Sequence, residues 1–93
     1  MGRVADSIRA KLTEALHPAR LDIVDDSHRH AGHAGARPEG ESHFTVTIVS
    51  SAFAGQSRVA RQRAVYGLLA AELKSDVHAL SLATLTPEEA GRG

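Results

Sequence analysis

Phe44-Thr45-Val46-Thr47-Ile48-Val49 is the stretch on which the fold turns. Phe44, Val46 and Ile48 alternate with Thr45, Thr47 and Val49. A period of two built from β-branched residues predicts a strand with one face in a core. Upstream, Leu21-Asp22-Ile23-Val24-Asp25 reads as a shorter strand with Leu21 and Ile23 on one face. Before it, Val4, Ile8, Leu12 and Leu16 recur every four residues while Arg9, Lys11 and Glu14 fall elsewhere. That spacing predicts a helix over 4–16 with one apolar stripe. His17-Pro18 ends it, because proline pushes the preceding residue out of the helical region. Downstream, Ala52-Phe53-Ala54-Gly55 is a turn, and Ser57 caps a second helix running to about Leu73. Val65, Leu68, Leu69 and Leu73 form its apolar stripe. A last strand is expected from Val77 to about Leu85, with Leu80 and Leu82 on one face and His78 pointing the same way. The order α-β-β-α-β predicts an α+β sandwich, a three-stranded mixed sheet with helices on one face. Residues 1–87 form one domain in this reading, and 88–93 a flexible polar tail.

Composition narrows the function. The chain has 93 residues, 42% of them hydrophobic, enough for one small core. Aromatics are 3%, which argues against stacking of bases on exposed rings. Lys+Arg and Asp+Glu are both 11, a balance unlike that of a general nucleic-acid binder and one that gives little long-range steering. There is no cysteine, so no disulfide, thiol nucleophile or thiolate metal cage can come from this chain alone. With no apolar run of membrane length and no signal-peptide pattern, the expected location is the cytosol, off the membrane. No glycine-rich phosphate loop or catalytic constellation is present, and no enzyme is expected.

Three features could carry chemistry. The connection from Asp26 to His43 is 18 residues long, well beyond a hairpin loop, and holds His28, His30, His33 and His43. It reads either as a solvated flexible loop or as a His-rich metal segment. His78 reads either as a packed core-edge residue or as a ligand that a loop histidine could meet. The second helix carries Arg58, Arg61 and Arg63, with Lys74 just past its end. These form either a solvated face or a contact surface for nucleic acid. Gly32-His33-Ala34-Gly35 spells the GxxG of KH domains but falls between strands, not between helices, and is read as coincidence.

Several stretches together resemble the BolA family across about Ile8 to Pro87. They are Leu21-Asp22-Ile23-Val24-Asp25-Asp26-Ser27, Glu41-Ser42-His43-Phe44, Val49-Ser50-Ser51-Ala52-Phe53-Ala54-Gly55, Arg61-Gln62-Arg63-Ala64-Val65-Tyr66, Ala71-Glu72-Leu73 and Val77-His78-Ala79-Leu80. The sequence departs from many family members at Gln62, where they carry histidine, and in its longer loop. The resemblance implies the α-β-β-α-β fold akin to class II KH domains. It also implies a partner of monothiol, CGFS-type glutaredoxins, active in iron homeostasis or cluster delivery and in the stress response.

The family's cluster ligand is the histidine of the Val-His-Ala-Leu motif, here His78. A second ligand lies in the first loop, and without cysteine it would be His30, with His33 the alternative. Histidines can replace two of the four thiolates of a 2Fe–2S cluster, as in Rieske centres. The remaining thiolates would come from the glutaredoxin and a bound glutathione. The isolated protein is expected to be a metal-free monomer. The competing expectation is a DNA-binding transcriptional regulator acting through Arg58, Arg61, Arg63 and Lys74.

Overall fold

The computed structural model describes residues 3–25, 43–75 and 77–91. Helix α1 spans Arg3–Leu16 and buries Val4, Ile8 and Leu12, three of the four residues of the predicted stripe. Asp6 in its first turn complements the positive end of the helix dipole. At its other end His17 adopts a positive φ of 44°, an uncommon conformation for a residue with a side chain. The His17 N–H still donates to the Thr13 carbonyl at 3.0 Å, closing the helix before Pro18.

Strand β1 (Arg20–Asp25) runs antiparallel to β2 (His43–Val49), with Leu21 opposite Ile48 and Ile23 opposite Val46. Strand β3 (Ala79–Leu85) runs parallel to β2 on its other side, so β2 is central in the order β1-β2-β3. The sheet is mixed, as expected. Phe44, Val46 and Ile48 are almost wholly buried and pack with Ile8, Leu12, Val65 and Leu69 into one core. Burying each such side chain contributes about 1.5–3 kcal/mol. Because these three β2 residues share one face, the helices that cover them lie on that face. Thr45, Ser81 and Ala83 on the opposite face are exposed.

Ser50, fully buried, follows β2 and joins three segments. Its hydroxyl donates to the Leu16 carbonyl at 2.7 Å and accepts from the Ala52 N–H at 3.1 Å, opening a short 3-10 turn over Ser51–Phe53. Its own N–H donates to the Leu85 carbonyl. Helix α2 (Arg58–Leu68) begins at Ser57, whose hydroxyl accepts from the Ala60 N–H, the predicted cap.

The expected single helix to Leu73 is interrupted. The backbone turns at Leu69, and α3 (Ala70–Ser75) follows. Gly67, two residues earlier, weakens the helix there. The turn keeps Leu69 in the core and brings Glu72 against α1. Glu72 accepts hydrogen bonds from Ser7 at 2.5 Å and Lys11 at 2.8 Å. Burial pushes its carboxyl up, but the bonds from Lys11 and Ser7 outweigh that and hold it below its ordinary value.

The C-terminus also departs from expectation. The short helix α4 (Pro87–Gly91) takes in residues 88–91, expected as the start of a flexible tail. The Thr86 N–H donates to the Glu89 carboxylate while the Glu89 N–H donates to the Thr86 hydroxyl. This is a reciprocal capping box with proline at the first helical position.

Candidate functional site

The site expected around His78 lies where β2 and β3 begin. Val77 is buried, and its N–H donates to the Glu72 carbonyl at 2.8 Å, closing α3. The chain then bends at residue 78, and β3 starts at Ala79. His78 is therefore not a strand residue packed beside Leu80 and Leu82. It is exposed at the strand's entrance. Anchoring of Val77 in the core forces the bend and leaves the next side chain outside.

The parallel register sets His43 opposite Ala79. This brings the imidazoles of His43 and His78 together, with ring centroids 6.4 Å apart and planes 25° from parallel. His43, read from sequence as part of the long connection, is the first residue of β2 and only 9% exposed. The pair thus has one anchored ring and one open ring. His43 was not singled out as a ligand. The signal that could have found it was its position immediately before Phe44, once β3 is aligned parallel to β2. His30 and His33 lie outside the described residues.

Among the described residues no three His, Asp or Glu side chains gather as a metal site. A 2Fe–2S cluster can take histidine at two of its four ligand positions, and a chain without cysteine would leave the thiolates to come from elsewhere.

The basic residues divide. Arg58, Arg63 and Lys74 are exposed, as expected of a contact surface. Arg61 is not: it is buried at the opposite end of β3 from His78. Its Nε donates to the Gln56 carbonyl at 3.0 Å and one terminal nitrogen donates to the Thr84 carbonyl at 3.0 Å. The two terminal nitrogens grip the Glu89 carboxylate at 2.6 and 3.1 Å, and the guanidinium sits 5.8 Å from the centre of the Phe53 ring. The hydrogen bond to Glu89 raises Arg61 above its ordinary value. The same bond, helped by the Thr86 N–H, lowers Glu89 to about 2. A guanidinium so fully engaged offers nothing to solvent, so Arg61 leaves the predicted basic surface. An open cleft beside it is lined by Ser51, Gly55, Thr86 and Glu88. No helix among the described residues is long and apolar enough to cross a membrane.

A family model described as "BolA-like protein" matches residues 12–89. The chain is 50% identical over 90 residues to an uncharacterized protein in the cobS 5′ region of Sinorhizobium sp, covering 96% of this chain and 97% of that one. It is 43% identical over 86 residues to the DNA-binding transcriptional regulator BolA of Escherichia coli, covering 92% of this chain and 78% of that protein. Among solved structures, the BolA domain of SufE1 from Arabidopsis thaliana matches with a TM-score of 0.86 at 47% identity, covering 96% of this chain and 98% of that domain. The chain spans 23% of the full SufE-like protein 1 of that plant.

Proposed function

The chain belongs to the BolA family, and from that premise we propose that it partners a monothiol, CGFS-type glutaredoxin and shares a 2Fe–2S cluster with it, in iron homeostasis or cluster delivery. The role is that of a binding protein, not of an enzyme. The observation that carries the reading is the His43–His78 pair at the entrance of β2 and β3, in a chain with no cysteine.

His78, on the open side of the pair, is the ligand this chain presents to a partner. His30 or His33, on the segment that leads into β2, supplies the second imidazole. His43 backs His78 and is the nearest substitute for either. The cluster itself is the cargo, and its remaining thiolates come from the glutaredoxin cysteine and glutathione.

The test is anaerobic reconstitution with a monothiol glutaredoxin, glutathione, iron and sulfide, followed by visible absorption and circular dichroism. A spectrum distinct from that of the glutaredoxin alone, and lost in His78→Ala, is the expected result. An unchanged glutaredoxin spectrum in the presence of the wild-type chain would overturn the proposal. Parallel His30→Ala, His33→Ala and His43→Ala variants identify the second ligand.

A second reading, DNA binding, draws on the name of the Escherichia coli relative and on the exposed Arg58, Arg63 and Lys74. Burial of Arg61 weighs against it by removing the middle guanidinium from the predicted set. Its signature is affinity for duplex DNA that falls steeply with salt and drops in Arg58→Ala/Arg63→Ala.

A further inference from the structure

At the end of β3 away from the histidines, the geometry points to a carboxylate receptor built around Arg61, filled in cis by Glu89 and open to an acidic peptide segment of a partner when α4 lifts. The socket is fixed by parts of the fold that do not depend on α4. Gln56 and Thr84 hold the guanidinium through their carbonyls, and the Phe53 ring flanks it. The face it turns to Glu89 is a planar fork of two donors, the arrangement that grips a carboxylate through both oxygens.

Socket and plug differ in how firmly they are held. The Arg61 side chain is 10% exposed and that of Glu89 37%. Helix α4 has five residues and buries none of them. A helix this short has no stability of its own. The Glu89 carboxylate carries its bidentate bond to Arg61. The capping box does not compete with release, because Thr86 and Glu89 bond to each other within the same segment and move together.

Lifting α4 would bare a guanidinium one helical turn from the exposed Arg58, beside the cleft lined by Ser51 and Gly55. Two cations at that spacing suit a segment carrying successive carboxylates. The group already seated on the fork favours such a segment over a nucleic acid. Glu89 is a carboxylate on a flexible side chain held through both oxygens, a contact that an acidic peptide side chain reproduces and a phosphate on a stiff duplex backbone does not. The inference does not rest on the shared cluster and concerns the other end of the sheet.

The test compares the full chain with its Glu89→Ala variant, each titrated by NMR with a blocked tetraglutamate peptide and with tetraglutamine as control. The variant should bind tetraglutamate about tenfold more tightly than wild type, with the largest shifts at the Arg61 side-chain N–H and the Thr86 amide. Adding Arg61→Lys to the variant should abolish that gain, because an ammonium cannot form the fork. Equal affinity in wild type and Glu89→Ala would overturn the proposal by placing the peptide on the exterior arginines. So would a short DNA duplex that gains as much as the peptide. Glu89→Gln, which keeps the shape of the plug, replaces Glu89→Ala if that variant does not fold, and the same outcomes apply.

Discussion

The two ends of β3 hold polar side chains of opposite character. At its entrance His78 is exposed beside a buried His43, with the two ring centroids 6.4 Å apart. At its exit Arg61 is buried and bonded to two backbone carbonyls and a carboxylate. Histidine is left open and arginine is closed off, although sequence alone would expose the arginine first. The difference teaches that residue type does not separate architecture from function in this fold. Whether a polar group is completed from within the chain does.

Substitution at each end sharpens the contrast. His78→Ala should leave thermal stability within about 0.5 kcal/mol of wild type, since it removes an exposed side chain. Arg61→Met should give the largest fall in Tm, because the Thr84 and Gln56 carbonyls lose their donor together. Equal Tm losses for the two variants, measured by calorimetry, would erase the distinction.

Acid titration probes the closed end more gently. Glu89 has a folded-state value of about 2 against an ordinary 4.5, so the unfolded chain binds more protons between these limits. Its contribution is complete above 4.5 and is lost as pH falls toward 2. In Glu89→Gln that part of the pH dependence of Tm should flatten. Glu72, also held low, loses its contribution in the same direction and adds to the slope.

One further substitution should act with the opposite sign. Among the described residues, the Thr84 hydroxyl is buried with no hydrogen-bond partner. Thr84→Val keeps the shape and removes the unsatisfied group, and should stabilise the protein by roughly 1 kcal/mol. A gain of about 4–8 °C in Tm would follow for a domain of this size.

Much of the fold is legible in local pattern. The alternation at Phe44, Val46 and Ile48 reports burial because a strand shows its faces residue by residue, and the four-residue spacing from Val4 does the same for α1. The cap at Ser57 is legible for the same local reason. α4 was also written in the chain: Thr86-Pro87-Glu88-Glu89 is a capping box with proline behind the cap, but the polar composition around it reads as tail.

The sites are harder to read, because they depend on segments far apart. Arg61 meets Glu89 across 28 positions, and no periodicity announces a buried arginine. His78 was legible as the histidine of a motif, yet its neighbour His43 was not. Their meeting needs β3 to lie parallel to β2 in one register, which two helices and a turn impose. His30 and His33 fall outside the described residues, so the choice between them belongs to the reconstitution experiment.

That register has a consequence for how the protein can vary. With β2 pinned by β1, a slip of one position between β2 and β3 would turn Leu80 and Leu82 away from the core face they share with Phe44 and Val46, so hydrophobic burial polices the alignment. The spacing of the two imidazoles inherits that precision as a by-product. Insertions or deletions between β1 and β2 can therefore accumulate without moving His43 relative to His78. The placement of His78 beside His43 is thus insulated from the length of the segment that carries His30 and His33.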